Sequence, residues 1–129
     1  MKTLDIKSVD RAQMIDITGA VDEFIKSEGI REGTVHIFVP HTTAAVTISE
    51  NADPSVAVDI LKGLERIVPV SGDYLHGEGN SDAHIKSVLV GNSLTVFVDG
   101  GKLMLGTWQG IYFCEFDGPR RRKVWLRAE

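Results

Sequence analysis

Leu94-Thr95-Val96-Phe97-Val98-Asp99-Gly100-Gly101-Lys102-Leu103-Met104-Leu105 is the stretch that decides the fold. Two β-rich runs flank an acid followed by two glycines, the composition of a hairpin turn. A hairpin makes its two strands antiparallel neighbours. Downstream, Trp108 to Phe116 and Lys123 to Leu126 read as further strands, with no helical pattern between them. Upstream, Leu4, Ile6 and Val9 alternate with polar residues, and Met14, Ile15 and Ile17 suggest a second strand ending near Thr18-Gly19. Gly33 to Val39 is β-rich, Pro40-His41 breaks it, and Thr42 to Ser49 resumes. These are expected to be adjacent strands, or one strand bent at Pro40.

Three segments read as helices. Thr18 is expected to cap the first, with Val21, Phe24 and Ile25 on one face and Gly29 as its stop. Asp53-Pro54 opens the second with an acid cap and a first-turn proline. Its apolar face is Val56, Val58, Ile60, Leu61, Leu64 and Ile67, and Pro69 stops it. Ser81 or Asp82 caps a third through Leu89, its inward face assigned to Ile85, Val88 and Leu89. Strands and helices do not alternate strictly, so the expected class is α+β with a mostly antiparallel sheet and two or three helices.

The chain has 129 residues, a formal net charge of -4, four His and one Cys. A length of about 100–150 residues is that of one domain, and no linker or repeat interrupts residues 1–129. One cysteine excludes an intramolecular disulfide framework and a Cys-based zinc ribbon, and points to a reducing cytoplasm. No segment approaches the roughly 20 apolar residues of a membrane span, so no membrane partner is expected. The acidic balance argues against nucleic acid as a partner. Arg120-Arg121-Arg122-Lys123 is short and lacks interleaved aromatics; it reads as a turn leading into an edge strand, though one Arg can reach a phosphate. P-loop, GxGxxG and GxSxG patterns are absent. Cys114 lies in an apolar run and reads as core.

The polar residues left over gather in a few places. His36 lies within a strand, opposite Val35 and Ile37, and reads as structural. His41 follows Pro40 at a strand break, His76 lies in the Gly-rich loop from Val70 to Gly79, and His84 lies on the first turn of the third helix. Three such histidines can bind a metal or perform acid–base work, or be unrelated polar residues. Glu50 ends a β-branched run and is expected to share a cleft with His41, as a ligand, an orienter or a base. Asn51 and Asp53 suit turn and cap chemistry, and Glu78 reads as a loop acid. Gly106-Thr107-Trp108-Gln109-Gly110 offers a hydroxyl, an amide and an indole wall for a heterocycle, or else a bulge with a core Trp.

His41-Thr42-Thr43-Ala44-Ala45, Glu50-Asn51-Ala52-Asp53-Pro54, Asp82-Ala83-His84-Ile85-Lys86-Ser87 and Leu105-Gly106-Thr107-Trp108-Gln109-Gly110-Ile111 closely resemble the YjbQ family, described as secondary thiamine-phosphate synthase. The resemblance runs from about residue 10 to the C-terminus. It implies a sheet curled into a half-barrel and a homotrimer. It also implies a weak transferase activity, thiamine-phosphate synthesis, joining a hydroxymethylpyrimidine pyrophosphate to a thiazole phosphate with release of pyrophosphate. His41, Glu50, His76 and His84 then match the catalytic positions, and Asn51, Thr107, Trp108 and Gln109 match substrate-binding positions. A divalent metal, Zn or Mg, held by His41, His76 and His84 suits a pyrophosphate leaving group. Two other functions fit the same residues: a metal-dependent hydrolase of a phosphorylated metabolite, and a non-catalytic protein binding a phosphorylated ligand.

Overall fold

A computed structural model describes all 129 residues, Met1–Glu129. The chain runs β1 (Lys2–Lys7), β2 (Gln13–Asp16), α1 (Thr18–Ser27), β3 (Gly33–Phe38), β4 (Ala44–Glu50), α2 (Pro54–Ile67), α3 (Ser81–Val90), β5 (Ser93–Asp99), β6 (Lys102–Leu103), β7 (Gln109–Glu115) and β8 (Arg121–Ala128). A five-stranded sheet has the order β1-β8-β3-β5-β6, and a three-stranded sheet the order β2-β7-β4. Every strand pairing is antiparallel. The larger sheet curls into a half-barrel, and the fold is α+β, as expected. No helix is long and apolar enough to cross a membrane.

The core follows from period-2 alternation. Val35 and Ile37 of β3, Val96 and Val98 of β5, and Val124 and Leu126 of β8 point to one side of the large sheet. Val21, Phe24 and Ile25 of α1 meet them there, together with Ile111 and Phe113 of β7. The turn after β5 uses Gly100 and Gly101, both at positive φ, which a side chain would resist. A smaller cluster of Ala45, Ala83, Tyr112, Cys114 and Phe116 lies between the small sheet and α3, with Leu61 and Leu64 of α2 against it.

The structure departs from the sequence reading at four places. First, β3 and β4 are neither paired with each other nor one bent strand: β3 pairs with β5 and β8, whereas β4 pairs with β7. Val39 to Thr43 carries the chain from one sheet to the other. Second, β8 is not an edge strand; it sits between β1 and β3. Third, Ile17 rather than Thr18 is the N-cap of α1, because the Thr18 hydroxyl accepts the Ile111 N–H at 2.8 Å and donates to Asp16.

The fourth departure is α3. Its N-cap is Asn80, and its buried face is Ser81, Asp82, Ala83, Lys86 and Ser87. Ile85, Val88 and Leu89 face outward, Val88 with 84% of its surface exposed. Charge pairing outweighs the apolar pattern here. Asp82, fully buried, accepts two hydrogen bonds from Arg11 at 2.9 and 3.0 Å, and one from Lys86 Nζ at 2.9 Å. Lys86 also reaches Glu65 of α2 at 2.8 Å. A buried carboxylate is tolerated only with such partners.

Candidate functional site

The crossover from Val39 to Thr43 is pinned at both ends by backbone bonds. Val39 N–H donates to Asn92 at 2.8 Å, and Phe116 N–H donates to the Thr43 carbonyl at 3.2 Å. His41 is held in addition by its ring, because Nε2 accepts the backbone N–H of Lys123 at 2.9 Å. A backbone amide can only donate, so Nε2 carries the lone pair and the neutral ring bears its proton on Nδ1. Burial and the nearby Arg122 charge push the His41 pKa below the usual histidine range, although Glu115 opposes them. His41 is therefore a neutral Nδ1–H donor at neutral pH.

Behind the crossover lies a buried ion pair. Glu115 and Arg122 meet through Nε at 2.9 Å and Nη2 at 2.5 Å, and Arg122 Nη2 also donates to the Thr43 hydroxyl at 2.7 Å. Ser8 donates to Glu115 at 2.7 Å. Burial raises the Glu115 pKa, but bonds from Arg122 and Ser8 outweigh it and hold the carboxyl below its ordinary value. With its charge spent on Glu115, Arg122 acts as a strut beneath the cleft. Arg120 is partly engaged, with Nε and Nη2 turned to Asp117.

In front of this strut opens a polar cleft of about 520 Å³, continuous through His41, Thr42, His84 and Asn92 with a second of about 460 Å³. Its walls come from the crossover, the start of α3, the β7–β8 turn, and Phe38 at the end of β3. Several of its polar groups have no partner within the chain. The Thr42 hydroxyl, the His84 ring and the Asn92 amide make no side-chain hydrogen bond. Asn80 gives its Nδ2 to Asp117 at 2.8 Å and leaves its buried Oδ1 unpaired. An unpaired buried polar atom costs about 1–3 kcal/mol, so such a group is normally reserved for something.

The expected residues fall into two groups. His41 and His84 share the cleft, and His76 joins them through an edge-on ring contact with His84 at 5.3 Å between centroids. His76 also lies 3.6 Å from Glu78, which is a cleft wall rather than a free loop acid. Glu50 does not share this cleft. It ends β4 opposite Gln109, six strand positions beyond Ala44, or about 20 Å away. Asn51, Thr107, Trp108 and Gln109 gather with Glu50 at that far end. Asn51 donates to Asp16 at 3.1 Å, and Gln109 Oε1 accepts the Gly106 N–H at 2.8 Å. Gly110 leaves the room Asn51 occupies: a Cβ there would lie 2.7 Å from Asn51 Cγ. Asn51 and Gln109 thus tie their turns together, whereas the side chains of Glu50 and Thr107 make no hydrogen bond and Trp108 stays 63% exposed.

The three imidazoles do not form a ready ligand set. No three His, Cys, Asp or Glu side chains converge closely enough to hold an ion. His41 moreover has no lone pair to offer while Nε2 accepts from Lys123. Cys114 is buried, with its thiol pushed up to about 12 by burial, which excludes a thiolate nucleophile.

Residues 2–128 match the family model described as UPF0047 protein YjbQ-like. The chain belongs to the YjbQ family. Among YjbQ-family relatives, YugU of Bacillus subtilis is 51% identical over 98% of this chain and 97% of its own length. A UPF0047 protein of Methanocaldococcus jannaschii is 51% identical over 95% of this chain and 88% of its own. A solved YjbQ/UPF0047-family structure from Clostridium acetobutylicum superposes with a TM-score of 0.98 at 50% identity, each chain covered in full. Sequence reasoning missed Asn80, Asn92 and Phe38 as cleft residues. Asn80 and Asn92 flank α3 with no motif to single them out, and Phe38 reads as one member of a strand.

Proposed function

We propose that the cleft binds the phosphate or pyrophosphate end of a small phosphorylated heterocycle, and that the reaction is thiamine-phosphate synthesis of the kind the family resemblance implies. One observation carries this reading: His41 Nδ1–H, Thr42, His84 and Asn92 converge on one cleft without partners of their own. Neutral hydrogen-bond donors that line one cleft suit an oxyanion. In the proposed step, the bond between the pyrimidine methylene carbon and the pyrophosphate oxygen breaks. The thiazole nitrogen supplies the pair for the new C–N bond, and pyrophosphate leaves with the old one. His41 donates to the departing oxyanion, and His84 donates a hydrogen bond beside it. His76 orients His84 through the ring contact.

Glu50, Asn51, Thr107, Trp108 and Gln109 enter this reading only across a boundary between copies. We propose a homotrimer on that ground, supported by the outward apolar face of α3, whose Val88 also walls the cleft. A single buried cysteine supports placement in the cytoplasm.

The test is formation of thiamine phosphate from its two half-molecules by wild type, His41→Ala and His84→Ala. The expected result is product with wild type and a loss of about a hundredfold in either variant. Equal rates overturn the site, and no product with pure wild type overturns the activity.

A further inference from the structure

Phe38 and Trp125 are direct cross-strand partners on β3 and β8. Alternation along both strands turns them away from the core: Ile37 and Leu126 are fully buried, while Phe38 and Trp125 keep 39% and 38% of their surface in solvent. Their rings stack at 5.6 Å between centroids with planes 22° apart. A stacked exposed pair can simply stabilise a sheet. Two features tie this one to the cleft. Phe38 is itself a cleft wall, and the backbone running into Trp125 is the one that holds His41. Lys123 N–H donates to His41 Nε2, and Lys123 and Trp125 lie on the same side of β8, two positions or about 7 Å apart. His41 and the Phe38–Trp125 pair are thus held by adjoining positions of one strand.

Resting on the phosphate reading above, we propose that Phe38 and Trp125 form the ring subsite of this cleft, taking an aromatic heterocycle whose phosphate or pyrophosphate reaches His41. Trp108 is excluded from this position within one chain, since it precedes Gln109, which pairs with Glu50 at the opposite end of β4. The ring stacks against the exposed part of the Phe38–Trp125 pair. Stacking on aromatic side chains tolerates any flat heterocycle, so the subsite selects for a ring without specifying its substituents.

The test uses the two tryptophans, Trp108 and Trp125. Trp108→Phe leaves Trp125 as the sole indole reporter. Inorganic pyrophosphate, ethyl phosphate and 3-pyridylmethyl phosphate are titrated by calorimetry and by tryptophan emission. The expected result is binding of all three, with the pyridyl ester about tenfold tighter than ethyl phosphate and alone changing Trp125 emission. Phe38→Leu and Trp125→Leu, which keep an apolar group on the sheet, abolish that preference and leave pyrophosphate affinity unchanged. Equal affinity for the two esters overturns the subsite, as does a preference that survives both variants or is lost in Trp108→Ala instead. Trp125 emission that responds to protein concentration and not to the pyridyl ester assigns the face to a second copy, and also overturns it. Failure of pyrophosphate itself to bind brings down the phosphate reading and, separately from these outcomes, the subsite with it.

Discussion

At one end of the β4–β7 ladder, a cleft with a buried, unpaired Asn80 Oδ1 opens over an ion pair; at the other, Asp16, Thr18, Asn51 and Gln109 are tied into the turns around them. Around Ala44 and Glu115, the crossover, α3 and the β7–β8 turn leave the side chains of Thr42, His84 and Asn92 open to the cleft and Asn80 Oδ1 buried without a partner, over a buried Arg122–Glu115 strut. Around Glu50 and Gln109, Asn51 bonds Asp16, Asp16 bonds Thr18, Thr18 bonds Ile111 N–H, and Gln109 closes its own turn. Both ends carry motifs of the family. The difference teaches that Asn51 and Gln109, bonded within the chain, are first of all structural, whereas His41 Nδ1 and His84 face a cleft and are available to a ligand.

Removing the strut should break the first end most severely. Arg122→Met leaves Glu115 buried without its partner, at a cost of about 3–5 kcal/mol, read as a lower melting temperature. Adding Glu115→Leu should recover much of that loss, because the orphaned charge goes with it. At the second end, Gly110→Ala drives a methyl into Asn51 and should cost about 1–3 kcal/mol. Because the Asn51 Cβ would itself lie 2.8 Å from the new methyl, the pair Gly110→Ala/Asn51→Gly, and not Asn51→Ala, should relieve the clash; denaturant midpoints of these proteins check it. Phosphate affinity, measured on the folded proteins, should not change in either. A comparable loss of affinity at this end would show that the two ends act as one site within the chain.

His41→Ala should weaken pyrophosphate binding by about 10- to 100-fold, the worth of a hydrogen bond to a charged group, while Gln109→Ala should not. Calorimetry reads both. The His41 pKa lies below the ordinary value, so the group stays neutral to lower pH than a free histidine. Protonating Nε2 would forfeit its bond to Lys123.

Asp82 gives an acid limb to stability. Burial raises its pKa, but bonds and charge from Arg11 and Lys86 override that and lower it from 3.8 to about 2. The unfolded chain therefore takes up this proton first as pH falls. The contribution of about 2 kcal/mol is complete above about pH 5 and is lost as pH drops through about 4 to 2. Urea midpoints should show this fall in wild type, and a flatter profile in Asp82→Asn. The smallest expected effect is that of a chelator: with no three donors drawn together, EDTA should leave the melting temperature of the purified protein unchanged.

Most of the fold is written in local patterns. Alternation in Leu94 to Val98 and the Gly100-Gly101 turn specify an antiparallel hairpin, and Asp53-Pro54 specifies the start of α2, where Asp53 caps Ser55 N–H at 2.9 Å. The candidate site was legible only in part. His41 and His84 stand out by their place at a strand break and a helix start. Glu50 is only nine residues from His41 in sequence, but the extended β4 between them carries it about 20 Å from the crossover, and nothing local shows that Pro40 sends the chain into another sheet.

The sequence by itself determined element types, the class and the family, because propensity, capping and periodicity are short-range. Only the tertiary structure decided which polar residues keep partners. Asp82 and Lys86 turned inward on α3 because Arg11, 71 residues away, and Glu65 are there to meet them. Arg122 points under the cleft because Glu115 and Thr43 await it. The cost of burying a charge is settled by neighbours distant along the chain, and no local pattern records them.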